Sequence, residues 1–178
     1  MKITIFGRPG SGKTYFAYQL SKKLNLPLYH LDKYFFVANW VERDYQEFLD
    51  IQQKLVNQED WIIDGNSLQS LEVRYSRAQV CIYFNYPRYI CLWRILKRRF
   101  FKDPNINDQP EGSKRIVRWK LIKYMWTFEY RLNNRLTKQL IELKSKYPAV
   151  KFYEINNDKQ RQKLFNQMLI DIQESEKI

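Results

Sequence analysis

Gly7-Arg8-Pro9-Gly10-Ser11-Gly12-Lys13-Thr14 constrains this chain more than any other stretch of it. Its glycines permit backbone angles that a side chain would forbid. Before them, Lys2-Ile3-Thr4-Ile5-Phe6 is a short, β-branched run that reads as a buried strand. After them, Phe16, Ala17, Leu20 and Leu24 recur at helical spacing from Thr14 onward. Strand, glycine turn and helix in that order aim a helix N-terminus, with its unpaired N–H groups, at an anion. The spacing G-x-x-x-x-G-K-[ST] is that of a phosphate-binding loop. Backbone N–H groups turn inward around phosphate oxygens, Lys13 reaches the β- and γ-phosphates, and the Thr14 hydroxyl holds Mg²⁺. Gly7, Arg8, Pro9, Gly10, Ser11, Gly12, Lys13 and Thr14 are therefore the candidate nucleotide contacts.

The rest of the chain alternates strand and helix. Leu28 to Leu31 reads as a second strand ending at Asp32, and Val41 to Asn57 as a helix with Tyr45, Phe48, Leu49, Gln52 and Leu55 on one face. Trp61-Ile62-Ile63 is a third strand ending at Asp64-Gly65, Leu71 to Arg77 a short helix, and Val80 to Phe84 a fourth strand. Pro87 suits the first position of a helix over Arg88–Phe101. Lys102 to Gly112, with two prolines and a glycine, reads as a long loop, and a helical stretch follows to about Tyr147. Ala149 to Tyr153 is a fifth strand, and a terminal helix runs to about Ser175. Such alternation predicts an α/β fold with a parallel sheet covered on both faces. Ligands of such sheets gather at the carboxyl ends of the strands, where the glycine loop, Asp32 and Asp64 all lie.

At 178 residues with 44% apolar side chains, the chain is expected to fold as one domain spanning 1–178. The first twenty residues hold the glycine loop rather than an apolar leader, and no stretch is apolar enough to span a bilayer; a cytoplasmic protein is expected. Cys81 and Cys91 stand in apolar runs with no C-x-x-C spacing, as reduced packing residues do. A net charge of +12 favours anionic partners without choosing among nucleotides, nucleic acid and acidic surfaces.

Asp64 ends a buried strand, where its carboxylate would face the phosphates and hold Mg²⁺ through water opposite Thr14. Its other reading is a turn-forming Asp-Gly pair. Asp32, one strand earlier, is a candidate to accept from an acceptor hydroxyl or act as its general base; a helix or turn cap is the alternative. His30, the single histidine, has no partner at metal-ligand spacing and reads as a strand residue. Arg94 and Arg98 share a helix face and, with Lys97 and Arg99, adjoin a loop suited to be a lid; arginines there could neutralise a moving phosphoryl group. Basic residues interleave with Trp119, Tyr124, Trp126 and Phe128 over 114–131. This segment suits either nucleic-acid contact or, the preferred reading, an amphipathic helix with its apolar face in the core.

These residues resemble the adenylate-kinase-like P-loop kinases, and within them the branch known as DNA topology modulation proteins. The resemblance rests on Gly7 to Thr14, His30-Leu31-Asp32 with Asn39-Trp40, Trp61-Ile62-Ile63-Asp64-Gly65-Asn66, Arg74, Tyr86-Pro87-Arg88, and Arg94 with Arg98-Arg99. It implies a five-stranded parallel sheet in the order 2-3-1-4-5, flanked by helices, with an arginine-bearing lid at about 99–115. It also implies that Arg94 stacks on adenine, that Arg98 reaches the phosphates, and that Asp64 organises the metal. Arg74 would then sit near the acceptor or the transferred phosphate, and Arg131 would be a further lid arginine on the substrate. Asn85 stands where these kinases carry Asp, so metal handling would fall to Thr14 and Asp64. Arg43 is the only arginine between Asp32 and Trp61, unlike the AMP-binding segment of adenylate kinases.

The expected function is transfer of the γ-phosphoryl of Mg²⁺·ATP to a small acceptor, with Lys13, Asp32 and Arg98 as catalytic groups. A nucleotide-dependent DNA-binding regulator is the alternative, and NTP hydrolysis without an acceptor a third.

Overall fold

The computed structural model describes residues 1–97 and 135–175, with side chains as far as Asp171. Five strands form one parallel sheet: β1 (Lys2–Gly7), β2 (Leu28–His30), β3 (Trp61–Asp64), β4 (Val80–Phe84) and β5 (Lys151–Ile155). Their order across the sheet is β2-β3-β1-β4-β5, the order the resemblance implies. The helices among the described residues are α1 (Lys13–Leu24), α2 (Leu31–Phe35), α3 (Tyr45–Val56), α4 (Leu71–Tyr75), α5 (Arg88–Lys97), α6 (Thr137–Lys146) and α7 (Asp158–Ser175).

Period-two alternation sends neighbouring strand residues to opposite faces. Ile3, Ile5, Ile62, Ile82 and Phe84 pack on one face with Phe16, Ala17 and Leu20 of α1, Cys91 and Ile95 of α5, and Leu164 and Met168 of α7. Phe6, Cys81 and Tyr83 face the other way, against Leu71 and Tyr75 of α4 and Leu140 and Leu143 of α6. Trp61 and Ile63 are buried beneath Phe48, Leu55 and Val56 of α3. Each such large side chain contributes about 1.5–3 kcal/mol by leaving water. The two cysteines form no disulfide and belong to these separate clusters, so both are packing residues.

Sequence and structure differ between β2 and β3. The helix expected from Val41 begins at Tyr45, because Asp44 caps it: one carboxylate oxygen accepts from the N–H groups of Gln46 and Glu47, both at 3.0 Å. Val41–Glu42 instead pairs antiparallel with Phe36–Val37 in a two-residue hairpin. Its tip holds Asn39 and Trp40 in left-handed conformations, φ 57° and 61°. The Trp40 ring meets Phe36 edge-on at 5.4 Å, Phe36 meets Phe35, and Phe35 meets Phe48. Arg43, just past the hairpin, is tied to α2, its Nε donating to the Tyr34 carbonyl at 2.7 Å. The fifth strand lies two residues later than the sequence pattern predicts, with Phe84 opposite Ile155.

Asp44→Ala removes an acceptor for two first-turn N–H groups. A loss of about 1 kcal/mol in urea denaturation is expected.

Candidate active site at the carboxyl edge of the sheet

The register of the central strands assembles the site. Ile5 of β1 pairs with Asp64 of β3, and His30 of β2 pairs with the same Asp64 from the other side. β1 then runs directly into the glycine loop, which bends back into α1.

Three glycines of the loop have positive φ: Gly7 at 138°, Gly10 at 79° and Gly12 at 94°. A Cβ on Gly7 would lie 2.4 Å from the Phe84 carbonyl oxygen, and one on Gly10 would lie 2.5 Å from that of Cys91. The loop is therefore pressed against the ends of β4 and α5 by backbone contacts that leave no space for a side chain. Arg8 is buried, and its N–H donates to the Phe84 carbonyl at 3.2 Å. Ser11 is fully buried, with no hydrogen-bond partner for its hydroxyl. No side chain caps α1, and its first turn holds no acidic residue. The helix start thus keeps its N–H dipoles available to an anion.

Asp64 is 4% exposed. Burial pushes its carboxyl pKa up, but the nearby Lys13 charge, hydrogen bonds from His30 and Thr14, and the His30 charge together hold it below the usual carboxylate range. His30 Nδ1 lies 3.2 Å from Asp64 Oδ2, while the buried Oδ1 has no hydrogen-bond partner. The folded value lies below the unfolded one, so its stabilisation is present above the ordinary carboxylate range and is lost as the pH falls through the folded value. Thermal midpoints should therefore drop as pH is lowered from about 5 to about 2, and Asp64→Asn should flatten part of that slope.

The uncommitted Oδ1 and the Thr14 hydroxyl fit a hard divalent cation. Among the described residues no three His, Cys, Asp or Glu side chains gather into a cage. Mg²⁺ is commonly held in this way, by one or two protein oxygens with water and substrate phosphates.

The structure places the remaining expected residues more variously. Asp32 is exposed in the first turn of α2, at the carboxyl edge two residues beyond His30. Arg94 reaches back from α5 to the loop: Nη1 donates to the Ser11 carbonyl at 2.9 Å, and Nη2 donates to both Asp158 oxygens at 2.9 and 2.7 Å. Its guanidinium also lies 4.7 Å from the Tyr86 ring centroid. Asn85 turns away from the loop, its amide donating to Glu154 of β5 at 2.8 Å.

Arg74, expected at the acceptor, is 0% exposed. Its guanidinium donates to the carbonyls of Gly65 and Ser67 and to Gln52 Oε1, all within 3.2 Å. It braces the loop after Asp64 from inside, and burial lowers its pKa to about 10. Arg98, Arg131, the lid at 99–115 and the basic-aromatic segment 114–131 lie outside the described residues.

Sequence reasoning missed two residues at the site. Asp158 opens α7 and gathers Arg94, Tyr86 and Arg161, the last through an ion pair at 3.1 Å. Arg161 and Arg94 each bring an Nη1 within 3.7 Å of the position a Cβ on Gly12 would take. No local motif marks either residue, because chain reversal through β5 alone brings them to the loop. The third omission is the partnership of His30 with Asp64, whose spacing in sequence is set by strand pairing rather than by a short motif.

The chain's similarity to known proteins lies in its structure. Shikimate kinase from Aquifex aeolicus matches over 98% of this chain and 98% of its own, with a TM-score of 0.53 and 16% identity. The enzyme from Bacteroides thetaiotaomicron gives 0.58 over 97% and 98%, also at 16% identity. That from Acinetobacter baumannii, in complex with shikimate, gives 0.55 over 98% and 93%, again at 16%. The chain shares the fold of these structures. No protein-family model matches the chain, and no curated protein matches it in sequence. Among the described residues, no helix is long and apolar enough to cross a membrane.

Proposed function

We propose that the chain transfers the γ-phosphoryl group of Mg²⁺·ATP to a small, hydroxyl-bearing acceptor. The observation that carries this reading is the buried Asp64 carboxylate, with one oxygen uncommitted, beside Lys13 and Thr14 of an uncapped phosphate loop. Thr14 and Asp64 would hold Mg²⁺, which would supply charge neutralisation at the phosphates. Lys13 neutralises charge on the transferring group, and Arg98 would join it from the segment after α5. Asp32 orients the acceptor hydroxyl or takes its proton. Arg94 borders the loop on the side where the nucleobase would lie. One similar structure holds shikimate, a small hydroxylated molecule, and this supports the acceptor class.

ADP release measured with and without a panel of nucleosides, nucleoside monophosphates and hydroxylated metabolites tests this. Stimulation by one acceptor class is expected. ADP release indifferent to every addition would instead indicate hydrolysis alone.

A nucleotide-dependent regulator that binds DNA is the second reading. The net charge of +12 favours it, as does the resemblance to topology modulation proteins. It predicts DNA affinity that falls steeply with salt. Weak binding at physiological ionic strength would remove it.

A further inference from the structure

Asp64 can serve a metal only if its carboxylate is held with one oxygen turned toward the nucleotide. A free Asp side chain samples several rotamers, and a mis-set one would point both oxygens into the sheet edge. Here the holding group is visible. β2 contributes three residues, and the last of them, His30, is the register partner of Asp64. His30 also occupies the position before α2, yet its side chain makes no capping bond there. The ring turns to Asp64 instead, with Nδ1 at 3.2 Å from Oδ2, and both side chains are almost wholly buried. An ionised carboxylate accepts and cannot donate, so Nδ1 must carry the proton. His30 holds Oδ2, the Thr14 hydroxyl also hydrogen-bonds the carboxylate, and Oδ1 is left without a hydrogen-bond partner.

We propose that His30 is the positioning residue of Asp64: its Nδ1–H holds Oδ2 and thereby presents Oδ1 to the cation or to a water bound to it. This rests on the Mg²⁺–nucleotide reading above and deepens it. Outer partners of this kind commonly set the orientation of the group they hold, and losing one weakens metal affinity about 10–100-fold.

The test has two readouts that a purely packing histidine would not move. His30 is the only histidine of the chain, so its imidazole ¹⁵N spectrum is unambiguous. The spectrum should show a protonated Nδ1 in the unmodified protein. The second readout is Mn²⁺ binding to the protein–ATP complex, followed by electron paramagnetic resonance in the wild type, His30→Leu and His30→Asn. His30→Leu removes the donor at similar bulk, whereas the Asn amide restores an N–H near the place of Nδ1. Mn²⁺ affinity should fall about 10-fold or more in His30→Leu, with metal-free ATP affinity kept, and return to within about three-fold in His30→Asn.

An unprotonated Nδ1 overturns the proposal, as does unchanged Mn²⁺ affinity in His30→Leu. Equal impairment of both variants overturns it too, because that is the mark of a steric role. The spectrum needs no variant, so refutation stays open even if His30→Leu does not fold. A wild type that binds ATP and gains no Mn²⁺ site overturns the metal reading beneath, and the inference falls with it. A wild type that holds Mn²⁺·ATP while His30→Leu holds it equally well overturns the inference alone.

Discussion

Lys13→Ala is expected to lower the rate of phosphoryl transfer by about 10²–10³-fold or more, because it removes a preorganised cation from a group whose charge shifts in the transition state. Lys13 opens α1 directly after Gly12, where backbone N–H groups and the ammonium converge on one anion. It is also the foremost of the influences that hold the Asp64 carboxyl low against its burial. The variant should therefore lose both phosphate affinity and part of the electrostatic support for Asp64. Lys13 is only partly buried and lies outside the three apolar clusters, so the fold should survive. Steady-state kinetics beside a thermal melt separates the two effects. Transfer within a few fold of wild type, in a folded variant, would contradict the assignment of the loop.

Among the described glycines, Gly7→Ala should be the most destabilising substitution. Its Cβ would lie 2.4, 2.8 and 2.9 Å from the oxygen, nitrogen and carbonyl carbon of Phe84, all of them backbone atoms. Gly7 is also the register partner of Phe84, so relief requires β1 and β4 to part at the point where Arg8 N–H bonds the same carbonyl. Overpacking costs about 1–3 kcal/mol, and a side chain at φ 138° adds about 1–3 kcal/mol of strain. A total loss of about 2–6 kcal/mol in urea denaturation is expected. Gly12→Ala provides the contrast. Its Cβ would meet only guanidinium ends at 3.6 and 3.7 Å, so strain at φ 94° is its main penalty. Equal losses at the two positions, or a Gly7→Ala loss within about 0.5 kcal/mol of zero, would contradict this account of the loop.

The parts of the fold that were legible in sequence are those whose information is local. Ile3, Ile5, Ile62 and Ile82 announce buried strands by β-branching, and the glycine spacing announces the turn between the first strand and helix. Asp64 was readable because a carboxylate followed by glycine ends an apolar run. Asn39 suits the left-handed angle it adopts, but Trp40 beside it at φ 61° does not, and that hides the hairpin after α2 from a sequence reading. Apolar spacing from Val41 runs across the true start of α3, which the Asp44…Glu47 spacing of a helix cap marks instead. Arg74 illustrates a different limit. An arginine in a motif reads as a ligand contact, whereas here five neutral acceptors surround it and it braces the loop from within. The contacts of Asp158 and His30 depend on strand order and register, which only the assembled sheet provides.

A kinase must deliver a phosphoryl group from this loop to another molecule. Incubation with γ-labelled ATP and Mg²⁺ across the acceptor panel, with Lys13→Ala in parallel, measures that directly. Label is expected on an acceptor in the wild type and on none in the variant. ATP bound tightly, with no label leaving it for any acceptor, would contradict the kinase reading.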